Sequence, residues 1–344
     1  VGAVKVVIVG GGLAGSALAM ALVRVRPQVH LTVLDAPDRP RASTIPAALC
    51  HPLTGWSMQH WEGRLNDFRA AIGWLEEVCE SSMWLRRSLM RPLPDDHRGQ
   101  RLLRSFTRVG GDGVQHLAPE AVAERYPEVG AAPLGALVFD GAACVDVAAL
   151  CQRVRDVLEI EADVVFLRRE VAAVSSSGVA LEDGEEMAAD HVIVCGGADS
   201  GRLMPALGTE RPYFGELLFM DVAPPDVFVA GGCHVATAPD GRVVVGSTWL
   251  SPDEAVHPEA REAARHDLQQ RAATLVPGLA DAAVVGTWSG HRAKFQHGAS
   301  TARPFLAASG TAVHALTGFG ATGLSRAWPY ALAAARAIAD QGVA

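Results

Sequence analysis

Residues 10 to 15 read Gly-Gly-Gly-Leu-Ala-Gly, and they follow the apolar run Val4-Lys-Val-Val-Ile-Val9. A buried strand entering G-x-G-x-x-G at the start of a helix is a site for a dinucleotide pyrophosphate. Gly10 permits the tight turn, Gly12 lets the anion approach the backbone, and Gly15 lets the helix lie close on the strand. The N–H groups of Leu13 and Ala14 then face the phosphates at the positive end of the helix dipole. The context is complete: Leu13 to Val25 is an Ala/Leu-rich helix pattern, Val29 to Leu34 is a second strand, and Asp35, followed by Ala36, stands twenty residues past Gly15. That spacing suits a carboxylate that accepts from a ribose hydroxyl.

A second glycine-rich turn lies near the other end of the chain. Val313 to Leu316 reads as a strand, Gly318-Phe-Gly-Ala-Thr-Gly-Leu324 as the turn, and Ala331 to Ala339 as the helix beyond. The strand His191 to Cys195 ends in a third such turn, Gly196-Gly-Ala-Asp-Ser-Gly201. Turns at opposite ends of one chain imply one long cofactor. A nicotinamide nucleotide has no such requirement, whereas FAD needs separate support for its adenosine and flavin ends. A helix N-terminus beside the pyrimidine edge would stabilise the charge that develops there on reduction.

Between these landmarks, residues 36 to 55 form a long Pro-rich loop, which in a compact domain is usually functional. Sequence from Trp56 to Met90 reads as helix-rich, with Trp61, Leu65, Phe68, Ile72 and Leu75 at three- and four-residue steps, and a Pro/Gly-rich strand region follows to about Asp140. Asp146 is placed to cap a helix from Val147 to Leu158. Val164 to Val174 and a hairpin at Ser175 to Gly178 return the chain to the sheet, and 205 to 288 is read as strands with one helix, Pro258 to Leu275. The fold class expected is α/β, a Rossmann-like FAD-binding domain (1–75, 140–204 and 289–344) with an interleaved antiparallel-sheet, α+β substrate domain (76–139 and 205–288).

The formal net charge of -8 and pI near 5.8 oppose general nucleic-acid affinity. Arg86, Arg87, Arg91, Arg98, Arg101 and Arg104 are read as a solvated surface. The six cysteines show no metal-ligand spacing, so no metal is expected, and in a reducing compartment they are buried thiols, Cys195 within a strand. No run is apolar for long enough to span a bilayer, and the glycines do not suit a secretory signal, so a cytoplasmic location is expected.

Together the glycine fingerprint, Asp35, the segment Arg41 to Pro52, Val171, the strand Val192 to Gly197, Gly290-His-Arg292 and Gly318 to Leu324 resemble the D-amino acid oxidase/glycine oxidase superfamily of flavin amine oxidases. The likeness covers the whole chain, and Ala48-Leu-Cys-His-Pro52 with Gly318 to Leu324 is most similar to the flavin domain of the bifunctional tRNA 5-methylaminomethyl-2-thiouridine biosynthesis proteins. The resemblance implies Asp35 on the adenosine ribose, Arg41 and Ser43 near the pyrophosphate, Ala48 and Leu49 along the flavin ring and Val171 at the adenine. It also implies Gly318, Gly320, Gly323 and Leu324 at the pyrimidine edge, and Arg292 on a substrate carboxylate. Phe319 is expected over the flavin or substrate. His51, the ionisable side chain of the flavin-side segment, is a candidate proton shuttle; Tyr213 and His291 are candidates by position.

Asp35 replaces the commoner Glu, and the stretch from Arg292 to Pro304 lacks the Asp usual after the arginine. No cysteine follows Arg292 where some relatives tether their flavin, so the FAD is expected to be noncovalent. The reaction implied is oxidation of a C–N bond in a small amine or amino acid by hydride transfer to flavin, with O2 or another acceptor taking the electrons. Alternatives are a tRNA wobble-uridine carboxymethylaminomethyl oxidase, a flavin dehydrogenase, and a nonenzymatic flavin protein.

Overall fold

The computed structural model describes residues 4–36, 41–162, 164–207, 212–294, 305–307 and 312–341. The chain opens with β1 (Lys5–Val9), α1 (Leu13–Val25), β2 (His30–Leu34) and β3 (Ala48–Cys50). It continues through α2 (Trp61–Val78), β4 (Trp84–Pro92), α3 (His97–Val109), β5 (Val114–Leu117), α4 (Pro119–Arg125), β6 (Ala136–Val145) and α5 (Val147–Glu161). Next come β7 (Val164–Leu167), β8 (Val171–Ser175), β9 (Gly178–Leu181), β10 (Glu186–Ala188), β11 (His191–Val194) and α6 (Ser200–Leu203). Then follow β12 (Tyr213–Asp221), β13 (Phe228–Ala230), β14 (His234–Thr237), β15 (Val243–Gly246), α7 (Pro252–Ala255), α8 (Pro258–Leu275) and β16 (Ala283–Arg292), and finally β17 (Phe305–Ala307), β18 (Val313–Leu316) and α9 (Gly323–Gln341).

Two sheets carry the architecture. In the first, ordered β17-β18-β11-β1-β2-β7, the pairs from β18 to β7 are parallel and β17 is an antiparallel edge. β1 and β11 are almost wholly buried, as near-continuous Val/Ile runs require in a parallel sheet. The order reverses across β1: the chain goes first to β2 on one side and later to β11 on the other. Ligands of open α/β sheets bind at such a switch point, outside the carboxyl ends of the strands. Helices α1, α2 and α9 pack together beside this sheet, and α2 meets α9 through Trp74 stacked on Trp328 at 5.3 Å.

The second sheet runs β16-β12-β15-β14-β13-β4-β6-β3, with β5 also on β6, and it is antiparallel except where β4 and β13 run parallel. The expected α/β class holds, with this mixed sheet where a purely antiparallel one was read. Three local expectations differ. Helix α2 stops at Val78, and 84–92 is a strand buried on both faces at its end, Leu89 in one core and Met90 in the other, a pattern masked by Arg86, Arg87 and Arg91. The supposed strand region before Asp140 holds α3, whose Asp96 caps Arg98 and Gly99 at 2.8 Å each, and α4. The last helix begins at the glycine turn itself, at Gly323, because the small residues there continue the helix rather than precede it. Asp146 does cap α5, accepting from Ala149 N at 2.9 Å, while Cys195 lies one residue past the end of β11. No helix of the described residues is long and apolar enough to cross a membrane.

Strand β12 connects scaffold to site, because successive residues face opposite sides of a strand. Gly215 and Leu217 face the inter-sheet cavity, while the fully buried Glu216 faces α8 and accepts from Arg261 at 2.6 Å and from both Nε and Nη2 of Arg265 at 3.0 and 2.8 Å. Burial pushes the Glu216 carboxyl up, but the hydrogen bonds from Arg265 and Arg261 outweigh it and hold the group below its ordinary 4.5. The arginines are about a third exposed, so Glu216→Gln is expected to cost about 2 kcal/mol at pH 7, less than breaking a fully buried pair. A depressed folded-state value stabilises above the unfolded pKa and is lost as pH falls through it. The gap between wild type and variant in urea unfolding should therefore be full at pH 6–8 and close below about pH 4.

Candidate active site

The carboxyl ends of β1, β2, β11 and β18 open into a single cavity of about 570 Å³ that runs to the face of the second sheet. Gly10 leaves β1 with φ +114°, and a Cβ on it would stand 2.4 Å from the Cys195 carbonyl, so the turn after β1 tolerates glycine alone. Gly15 is pressed harder, its missing Cβ 1.8 Å from the Gly10 carbonyl. It lies behind the wall and lets α1 sit on the turn, while Gly12, Leu13 and Ala14 bring the helix N-terminus to the cavity surface.

Residues 41 to 51 lie along the same wall. Ser43 Oγ accepts from Leu13 N at 2.9 Å, which places a hydroxyl at the N-terminus of α1. Asp35 accepts from Gly11 N at 3.0 Å and is clamped by Arg41 Nη1 at 2.6 and 2.7 Å, and Arg41 Nη2 donates to Ala36 O at 3.0 Å. The acid read as ribose acceptor and the arginine read as pyrophosphate neighbour are thus one ion pair. Val171 lines the cavity near Arg202, which donates to its carbonyl at 2.8 Å.

Ala48, Leu49 and His51 face Gly318, Phe319, Gly320, Gly323 and Leu324 across the cavity, and Gly196 and Gly197 complete its floor. Gly320 N donates to Ala293 O at 2.9 Å, which ties the second glycine turn to the residue after Arg292. The residues fit an FAD: two helix N-termini, a turn with no room for side chains, a ribose-height carboxylate and a long trough that joins them.

Arg292 closes the far end of β16. Its guanidinium lies over Gly215, where a Cβ would be 2.4 Å from Nη2, and over the Trp249 ring at 4.4 Å; Nη2 donates to Ser247 Oγ and Nη1 has no partner among the described residues. Burial lowers its pKa to about 10, so it stays charged at neutral pH. His291 also lines the cavity.

Two candidates sit differently from expectation. Tyr213 pairs in register with Arg292 but is not part of the cavity wall, packing edge-on to Trp249 at 5.7 Å. His51 does line it, but burial, then Arg91, His234 and Arg64, push its pKa down to about 3, far from the near-neutral value a proton shuttle would use. Arg91, read as surface, is buried and lines the cavity with Trp56, which was read as helix packing but precedes α2. The patch therefore divides, with Arg86 paired to Glu76 at 2.7 Å. Ser247, Trp249, His234 and Arg91 had no sequence signal, since they come from separate strands and loops of the second sheet. Of the stretch after Arg292, residues 295–304 lie outside the described residues.

A family model described as FAD dependent oxidoreductase matches residues 5–340. The tRNA 5-methylaminomethyl-2-thiouridine biosynthesis bifunctional protein of Maricaulis maris is 30% identical over 295 residues, which is 84% of this chain but 44% of that protein. The chain spans about two fifths of the length of the two such bifunctional relatives it matches. Glycine oxidase of Pseudomonas aeruginosa is 27% identical over 312 residues, 84% of this chain and 82% of that one. Glycine oxidase of Geobacillus kaustophilus superposes with a TM-score of 0.81 at 23% identity, covering 98% of this chain and 95% of the other. The chain belongs to the FAD-dependent oxidoreductase family that contains the glycine oxidases.

Proposed function

We propose that this protein oxidises the C–N bond of a small amine or amino acid that bears a carboxylate, with Arg292 holding the carboxylate and FAD bound noncovalently. The observation that carries the reading is Arg292 itself: a charged, half-buried guanidinium in the cavity wall, with its buried Nη1 lacking a partner among the described residues and beside the turn 318–324. When bound, FAD supplies the acceptor for a hydride from the substrate carbon, and water then hydrolyses the resulting imine. The remaining work is positional. A planar fork that grips a carboxylate through two parallel bonds fixes orientation as well as affinity, so the C–H bond is presented in one pose.

The rest of the wall supports that pose. Trp249 backs the guanidinium, Ser247 fixes its rotation, and Gly215 leaves it the space. His51 and His234, held at about 3 and about 4, are neutral imidazoles at working pH. Neither is therefore a strong base toward the substrate amine. Gly10, Gly12, Leu13 and Ala14 would meet the pyrophosphate, Asp35 the ribose, Val171 the adenine and Ala48 and Leu49 the flavin ring. The two lobes share the task, the cofactor lobe being 1–75, 140–204 and 289–344 and the substrate lobe 76–139 and 205–288, with α2, β6 and β16 carrying the chain between them. O2 is the acceptor we favour, a quinone or partner protein the other.

One observation favours a nucleoside substrate. Arg98, Arg101, Arg104 and Arg108 are exposed on α3 at three- and four-residue steps, which puts them on one face. Filter binding to tRNA at moderate salt should give no retention under the small-amine reading. Retention that is lost when the four arginines become alanine would favour the wobble-uridine reading instead.

Arg292→Ala is expected to raise KM at least a hundredfold while FAD content is unchanged, because a charge-assisted bidentate contact is lost. Unchanged steady-state kinetics would remove Arg292 from the site. Gly215→Ala tests the geometry without touching the charge: the added methyl displaces Arg292, and KM should rise about tenfold or more with the flavin spectrum and Tm near wild type.

A further inference from the structure

Arg91 is a second guanidinium in the same cavity that the function above does not use. It is 5% exposed, its face lies on Trp56 at 4.3 Å, and Nη1 donates to Leu53 O at 2.9 Å, while Nε has no partner among the described residues. Between Arg91 and Arg292 stand His51 and His234, whose Nδ1 and Nε2 respectively also lack partners. The four are electrically contiguous, since Arg91 and His234 both act on His51 and Arg292 acts on His234. Among the described residues, no carboxylate is one of the charges that act on any of them. The acids that line the cavity belong elsewhere: Asp35 is clamped by Arg41, and Glu170 and Asp199 flank Val171 and Gly197 at the nucleotide end.

Two guanidinium groups, one buried and one half-buried, with no counter-ion among the described residues are costly, and both are pushed down to about 10 by burial. A structural arginine in such a position would normally be given an acid. Neutral imidazoles between them add no opposing charge but offer N–H groups to an anion. A ligand that carries one carboxylate would neutralise Arg292 and leave Arg91 uncompensated.

We infer that the substrate is an amine bearing two carboxylates, one gripped by Arg292 and the second by Arg91, so that Arg91 determines specificity. The inference rests on the carboxylate reading of Arg292 and names the substrate class at that site. An N-carboxymethyl amino acid and an amino dicarboxylic acid both satisfy it.

The test uses the FAD-loaded protein and acids that it cannot oxidise: acetate, propionate and butyrate against malonate, succinate and glutarate. Dissociation constants come from perturbation of the flavin visible spectrum. In the wild type at least one dicarboxylate should bind thirtyfold or more tightly than the monocarboxylate that differs from it only by lacking the second carboxylate. Arg91→Gln should reduce that advantage to threefold or less, with monocarboxylate affinity and flavin content unchanged, and Arg91→Lys should keep part of it. Equal binding of the two series in the wild type, which needs no variant, would overturn the inference, as would an advantage that survives in Arg91→Gln. Loss of flavin from Arg91→Gln would assign the residue to the cofactor and overturn it too. The two readings fail separately: if Arg292→Ala leaves monocarboxylate affinity unchanged, the Arg292 assignment falls; if it weakens monocarboxylates and dicarboxylates show no advantage, only the role of Arg91 falls.

Discussion

Backbone packed on backbone, at the turn between β1 and α1, sets the position of everything else. Gly15 lies against the Gly10 carbonyl and Gly10 against the Cys195 carbonyl at distances where no side chain fits. That closeness lets α1 rest on the sheet, brings its N-terminus to the carboxyl ends of β1 and β11, and leaves a trough open above the switch point. Helix α9 packs on α1, so the second glycine turn is carried to the same trough. From there the hydrogen bond between Gly320 and Ala293 fixes the end of β16, and with it Arg292. The substrate wall is thus indexed to the cofactor wall through main-chain contacts, which surface substitutions do not disturb.

The cavity's charge runs opposite to that of the molecule. A chain with a net charge of -8 concentrates Arg91 and Arg292 in a buried trough whose acids are paired off at the other end. In a water-poor cleft such charges act more strongly than they would on the surface. The positive character of the cavity is therefore a local property that net charge and pI do not reveal. The same desolvation keeps His51 and His234 neutral.

How much of this was legible in the sequence depended on whether backbone or side chains carried the signal. The turns at Gly10 to Gly15, Gly196 to Gly201 and Gly318 to Leu324 could be read because close approach and positive φ demand glycine, and a strand before each turn gives it context. The helix Pro258 to Leu275 was readable to the residue, with proline at its first position. By contrast, α3 was missed because four arginines on its outer face hide the apolar positions Leu102 and Leu103, and β4 was merged into the preceding helix for the same reason. Tyr213 shares the strand face of Arg292, as register requires, but its ring packs edge-on against Trp249 instead of lining the cavity, and pairing alone does not reveal that. Arg91 looked like surface because a charged residue in a strand reads as exposed. Only the crossing of that strand with the 51–56 loop, a contact between distant parts of the chain, shows that it is buried.

The most direct measurement is anaerobic mixing of the FAD-loaded protein with a panel of amines, watching the flavin's visible absorbance. The panel comprises glycine, sarcosine, D-amino acids, amines with two carboxylates and a carboxymethylaminomethyl nucleoside, each beside its decarboxylated analogue. The account predicts bleaching by carboxylate-bearing amines and none by the analogues that lack the carboxylate. An intact flavin spectrum that no member of the panel bleaches, or bleaching that is indifferent to the carboxylate, would contradict it.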